Sequence, residues 1–123
     1  FALVDAGFND LMRPSMYGAH HGMSLIAMDA APRTTLDTVV AGPLCESGDV
    51  FTQGEGGVVL SRTLPEARVG DLLVLHDAGA YGASMSSNYN SRPLAAEVLV
   101  DGAQARLIRR RQSVEELLAL EAL

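Results

Sequence analysis

Apolar residues in this chain come in short runs of Val, Leu and Ile, broken every few positions by Gly, Pro, Asp or Asn. Short apolar runs bounded by turn-forming residues fit strands, whereas a helix needs apolar positions recurring at three and four over a longer stretch. The pattern predicts strands over residues 1–5, 24–28, 36–41, 57–62, 71–77, 82–86, 96–101 and 104–110. Leu72-Leu73-Val74-Leu75 is apolar at successive positions, which predicts a strand covered on both faces. Asp101-Gly102 separates two strand-like runs and predicts a tight hairpin between them.

Two helical segments interrupt this grammar. Asn9 or Asp10 is placed to cap a short turn over residues 11–17, with Pro14 tolerated in its first turn. Ser113-Val114-Glu115-Glu116 has the spacing of a capping box, and Leu117, Leu118, Leu120 and Leu123 then continue a mostly apolar C-terminal helix. Many short strands with turn signals predict a mainly β domain: a Greek-key-like barrel or sandwich with a short N-terminal helical turn and a C-terminal helix.

Composition narrows the function. The chain of 123 residues reads as one domain, large enough to bury a core. A net charge of −6 argues against a nucleic-acid surface, which needs clustered positive charge. The one basic run, Arg109-Arg110-Arg111, reads as a solvated strand end. No apolar run approaches the roughly 20 residues that cross a bilayer. A single cysteine forms no internal disulfide, and a cytoplasmic protein is expected. The start, Phe1-Ala2-Leu3-Val4-Asp5, reads as a strand entered in mid-protein, so the chain is expected to be a piece of a longer polypeptide.

Three segments carry candidate chemistry. Cys45 follows Gly42-Pro43-Leu44 and precedes Glu46-Ser47-Gly48-Asp49, which places it on a bend after a strand. Most free cysteines are small buried hydrophobes. Two carboxylates beside this one are costly to bury without cations and disfavour its thiolate, which suits a proton donor better than a nucleophile. Arg13 and Tyr17 stand four apart, on one face if residues 11–17 are helical. Such a pair suits a carboxylate, the guanidinium binding through two parallel hydrogen bonds, although a surface arginine and a half-buried tyrosine read the same way. Tyr81 is flanked by Gly79 and Gly82, which leave its ring unobstructed; the alternative is a lining aromatic beside a bulge. The polar tract of residues 84–93 is either a hydrogen-bonding loop near a site or a simple turn.

Other signals are weak. His20-His21 lacks the further ligands and spacing of a metal site, and His76 has no accompanying pattern. Gly54-Glu55-Gly56-Gly57 lacks the Lys and Ser/Thr of a phosphate loop and reads as a flexible turn.

Set in order, the segments resemble the C-terminal domain of the diaminopimelate decarboxylases. The likeness runs through Val4-Asp5-Ala6-Gly7-Phe8-Asn9-Asp10-Leu11-Met12-Arg13-Pro14, then residues 42–49, then residues 77–100 with Ser87-Asn88-Tyr89-Asn90-Ser91-Arg92-Pro93. The resemblance implies an alanine-racemase-like enzyme. In it a (β/α)8 barrel carries pyridoxal phosphate on a lysine, and a C-terminal β domain completes the site across a homodimer interface. The implied reaction converts meso-diaminopimelate to L-lysine and CO2. Cys45 would then be the proton donor acting on the other subunit's site. Glu46 would bind the substrate's amino-bearing end, Arg13 and Tyr17 the distal carboxylate, and Tyr81 both cofactor and substrate.

The related ornithine and arginine decarboxylases typically carry Cys-Asp where this chain has Cys45-Glu46, and their substrates lack the carboxylate that Arg13 would bind. The chain contains no lysine, so on this reading it is a C-terminal part, inert alone, whose barrel lies elsewhere. Such a part is expected to expose apolar surface and self-associate. The rival readings are a decarboxylase of another basic amino acid and a freestanding β-barrel binding module with no catalytic role.

Overall fold

A computed structural model describes residues 1–121. Its strands pair two at a time. β1 (Ala2–Leu3) runs parallel to β4 (Val40–Ala41), and β2 (Met23–Ile26) antiparallel to β6 (Leu72–Leu75). β3 (Thr35–Thr38) pairs antiparallel with β5 (Arg62–Pro65), and β7 (Glu97–Asp101) with β8 (Gln104–Arg109). The helices α1 (Arg13–Tyr17), α2 (Gly79–Met85) and α3 (Val114–Leu117) are short. The mainly β expectation holds. Among the described residues the four ladders remain separate and close no barrel.

The core is small. Leu11, Val40, Phe51 and Leu64 form its buried centre, with Val4, Met23, Leu73 and Leu75 packed around it. Both a core and exposed apolar surface are expected of this chain, and Phe1, Leu3, Leu72, Val98, Val100, Leu107 and Ile108 are exposed. Leu72 is 54% exposed, so β6 is not covered on both faces among the described residues.

Local sequence signals account for several elements. The β7–β8 hairpin pairs Asp101 with Gln104, leaving Gly102-Ala103 as its loop. Only Gly102 has positive φ (58°), the glycine-first pattern of two-residue hairpins. α3 carries a complete capping box: Ser113 Oγ accepts from the Glu116 N–H at 3.2 Å, and Glu116 Oε2 accepts from the Ser113 N–H at 2.9 Å. The helix ends at Leu117 rather than running on through Leu120, and Leu123 lies outside the described residues.

Three expectations fail for identifiable reasons. The strand at 57–62 is not continuous: Gly56 and Gly57 adopt positive φ in a 3-10 turn, Glu55–Gly57, Val59 makes an isolated bridge to Gln53, and β5 begins only at Arg62. The strand at 82–86 is part of α2: Asp77 takes positive φ (54°) after β6, and the Gly82 N–H then donates to the Ala78 carbonyl at 2.7 Å in helical register. Neither Asn9 nor Asp10 caps α1. Asp10 Oδ2 accepts from the Gly7 N–H at 3.0 Å, closing a turn before the helix, and Asn9 is buried.

An ion-pair cluster that no sequence signal announced fastens residues 28–33 to residues 66–71. Arg33 binds Asp71 through both Nη1 (2.9 Å) and Nη2 (3.1 Å) and Asp29 through Nη2 (3.0 Å). Asp71 also accepts the Met28 and Arg68 N–H groups. Those two amides are the main reason its carboxyl lies below the usual range, with Arg33 adding to the effect.

Candidate active site

α1 presents Arg13 and Tyr17 because its C-terminus is sharply stopped. Gly18 takes left-handed backbone (φ 62°) and donates to the Pro14 carbonyl at 3.0 Å, while Ala19 donates to Arg13 at 3.3 Å. A Cβ at Gly18 would lie 2.5 Å from the backbone of Gly54 and Glu55, so this stop requires glycine on two counts. The helix is thereby docked on the 54–57 turn. Tyr17 is exposed and Arg13 half-buried.

α2 brings Tyr81 to the same place. The Arg13 guanidinium lies over the Tyr81 ring, 4.1 Å from its centroid. α2 lies against the loop before α1: a Cβ on Gly82 would stand in contact with the Asp10 carbonyl at 3.4 Å. Among the described residues no carboxylate pairs with Arg13; its guanidinium is held on a ring face with its N–H edge free.

Cys45 lies on the bend after β4, and its thiol is exposed, not part of the core. Glu46 is exposed beside it, its Oε1 accepting from the Gly48 N–H at 3.1 Å. Asp49, which the sequence groups with Glu46 as a second carboxylate near the thiol, instead turns inward and is buried. Its oxygens accept from the Phe8 N–H (2.7 Å) and the Leu44 N–H (2.8 Å).

The polar tract is a hydrogen-bonded loop. Asn88 Nδ2 donates to the Arg92 carbonyl (2.9 Å) and to Gln112 Oε1 (2.6 Å), and the Phe8 and Tyr89 rings stand 4.8 Å apart. Asn90, Ser91 and Arg92 line an open recess of about 500 Å³ together with Pro43, Leu44 and Cys45. Asn90 and Ser91 both carry positive φ (55°), an uncommon backbone for non-glycine residues. The chain therefore presents two groups: Arg13 stacked on Tyr81 with Tyr17 nearby on α1, and Cys45 with Glu46 beside the 90–92 loop. Ser15 of α1 joins them, its Oγ donating to the Gly48 carbonyl at 2.6 Å.

His21 and His76 serve structure. The His21 Nδ1 N–H donates to the His76 carbonyl (3.0 Å), and His76 Nε2 meets Ser24 Oγ (2.7 Å). Among the described residues no three His, Cys, Asp or Glu side chains are grouped to hold a metal.

Comparison with known proteins decides the family. The profile of the pyridoxal-dependent decarboxylase C-terminal sheet domain matches residues 1–79. The chain belongs to that family. It is 71% identical to the diaminopimelate decarboxylase of Escherichia coli K12, in an alignment covering 100% of this chain and 30% of that enzyme. Identity to the Streptomyces coelicolor diaminopimelate decarboxylase is 69%, covering 98% of this chain and 28% of that enzyme. One crystal structure of a diaminopimelate decarboxylase superposes with a TM-score of 0.90 at 70% identity, over 98% of this chain and 30% of that one. The Helicobacter pylori diaminopimelate decarboxylase complexed with L-lysine superposes with a TM-score of 0.81 at 39% identity, over 97% of this chain and 27% of that one. The chain thus spans about 30% of the length of these curated relatives.

A pyridoxal-dependent family implies pyridoxal phosphate, whose aldehyde is held by a lysine amine. This sheet domain has no lysine to offer. Its exposed thiol, carboxylate and phenol at Cys45, Glu46 and Tyr81 can exchange protons and hydrogen bonds, and none of them replaces that amine.

Proposed function

We propose that this chain is the C-terminal sheet domain of a diaminopimelate decarboxylase, which converts meso-diaminopimelate to L-lysine and CO2. The observation that carries the substrate assignment is Arg13: a guanidinium stacked on Tyr81, with its hydrogen-bonding edge unclaimed, suits a substrate carboxylate. Diaminopimelate retains a distal carboxylate after the reacting one leaves, whereas ornithine and arginine offer none. The named activity of relatives at 71% and 69% identity supports the same choice.

In this reading Arg13 and Tyr17 hold the distal carboxylate, and Glu46 binds the ammonium of the substrate's amino-bearing end. Tyr81 orients Arg13 and borders both cofactor and substrate. Pyridoxal phosphate, when bound, supplies the electron sink for the pair left on carbon as CO2 departs. The S–H bond of Cys45 then breaks, its proton forms the new C–H bond, and the thiolate regains a proton from solvent before the next turnover.

The cofactor lysine and phosphate site belong to a (β/α)8 barrel outside this chain. Cys45 and Glu46 act on the site of a second subunit in a homodimer. The open recess beside Cys45 and the exposure of Cys45 and Glu46 support such sharing. The four ladders form a barrel-like sheet domain against those partners, and the enzyme works in the cytoplasm.

The test is steady-state turnover of the complete enzyme with meso-diaminopimelate, ornithine and arginine. The expected result is CO2 and lysine from the first alone. Preference for ornithine or arginine would overturn the substrate assignment, and no turnover of any of them would overturn the enzyme reading.

A further inference from the structure

Asp49 has no part in the chemistry above, yet it is the most heavily engaged side chain near Cys45. It is only 3% exposed, and among the described residues no cation pairs with it. A buried carboxylate without a counter-ion is costly unless hydrogen bonds replace its hydration. Here they come entirely from backbone.

Between them, the side chain and the backbone of Asp49 bracket Cys45. Asp49 Oδ2 accepts from the Leu44 N–H at 2.8 Å, on one side of the cysteine. The Asp49 N–H donates to the Glu46 carbonyl at 3.0 Å, on the other side. The Asp49 carbonyl accepts from the Gly42 N–H at 2.9 Å, before the bend begins. Oδ1 accepts from the Phe8 N–H at 2.7 Å and so ties the whole bend to the loop that leads into α1. The fit is tight: a Cβ on Gly42 would lie 2.2 Å from Asp49 Oδ2.

We infer that Asp49 is the positioning residue for Cys45, its carboxylate fixing the backbone at Leu44 just before the thiol and tying it to the loop preceding α1, while its own peptide groups hold Gly42 and Glu46. This inference rests on the proposed role of Cys45 as proton donor. A carboxylate suits the task because two N–H groups converge on its two acceptor oxygens. An amide offers one acceptor and sets N–H against N–H on the other side.

The experiment uses the complete enzyme, comparing wild type, Cys45→Ala, Asp49→Asn and Gly42→Ala for kcat, KM and thermal midpoint. The configuration of deuterium in lysine formed in D2O is determined for each. Displacing a catalytic group by about 1 Å costs up to roughly 100-fold. Asp49→Asn is therefore expected to lower kcat about 10- to 100-fold with KM within about threefold of wild type. It is also expected to place deuterium in both configurations, because solvent then reaches the carbon from either face. Gly42→Ala pushes on the same carboxylate without removing it and should act in the same direction.

Wild-type kcat and a single configuration in Asp49→Asn would overturn the inference. So would a loss of kcat that only tracks loss of folded protein while the configuration stays single. If Asp49→Asn does not accumulate folded, Gly42→Ala decides; if neither does, the role is one of folding and the positioning role is rejected. Full turnover by Cys45→Ala would instead overturn the proposed function, whereas an inactive Cys45→Ala beside an intact Asp49→Asn would sink this inference alone.

Discussion

The guanidinium of Arg13 rests on the ring of Tyr81, 4.1 Å from its centroid, although the two residues come from separate helices. Stacking holds the cation through its flat face and leaves its N–H donors at the edge. A lysine at this position would lose both the stacking plane and the two-pronged edge. Charge-assisted hydrogen bonds of this kind contribute about 1.5–3 kcal/mol. Arg13→Lys in the complete enzyme is therefore expected to raise KM for diaminopimelate about 10- to 100-fold. Steady-state kinetics checks this, and an unchanged KM would remove Arg13 from substrate recognition.

Replacing the exposed Cys45 thiol tests proton delivery. General acid catalysis by a positioned side chain typically contributes about 10²–10⁴-fold, so Cys45→Ala is expected to lower kcat within that range. The absorbance of the bound cofactor should persist, since this chain supplies no lysine to anchor it. Loss of cofactor together with turnover would point to a structural role instead.

Gly18 stops α1 in left-handed backbone against the 54–57 turn. Gly18→Ala adds the left-handed penalty of about 1–2 kcal/mol and a Cβ 2.5 Å from backbone atoms. The expected result is a lower denaturant midpoint and weaker substrate binding, because Arg13 and Tyr17 ride on the displaced helix. A midpoint equal to wild type would show that the turn yields.

Glu116 connects charge to pH. Its hydrogen bonds with Arg110, the larger cause, and with the Ser113 N–H hold its carboxyl at about 2, below the ordinary 4.5. A folded-state value depressed in this way stabilises α3 fully above pH 4.5, and the contribution fades as pH falls toward 2. Both partners are substantially exposed, so salt weakens the effect. Carboxyl NMR titration should show the Glu116 value rising toward the ordinary one in Arg110→Gln and in high salt. A value that does not move would assign the depression to the helix cap alone.

The isolated chain exposes Phe1, Leu3, Leu72, Val98, Val100, Leu107 and Ile108 around a small core. Apolar surface on this scale promotes association. Sedimentation of the 123-residue chain should show concentration-dependent oligomers, and a clean monomer at high concentration would contradict the expectation.

What the sequence disclosed was set by range. The Asp101-Gly102 hairpin and the Ser113 capping box were legible because each is completed within a few residues. The family was legible from three ordered motifs. Residues 82–86 read as a strand, although 82–85 are the second half of α2, because glycines and small residues give no helical stripe; the bend at Asp77 starts the helix. Asp49 was grouped with Glu46 as a neighbour of the thiol, since nothing local shows that its carboxylate reaches Phe8, 41 positions away. The stacking of Arg13 on Tyr81 was invisible for the same reason, although both residues had been singled out.

The Gly48 carbonyl takes three donors at once: Ser15 Oγ, Gln53 Nε2 and the Val50 N–H. A peptide flip at that point would have to release all three together, so the bend has little freedom to drift as its side chains change. On the proposed roles, descent with altered substrate preference would then proceed by exchanging the residue displayed at 46 on an unchanged frame. The frame itself is the part that selection would find hardest to revise.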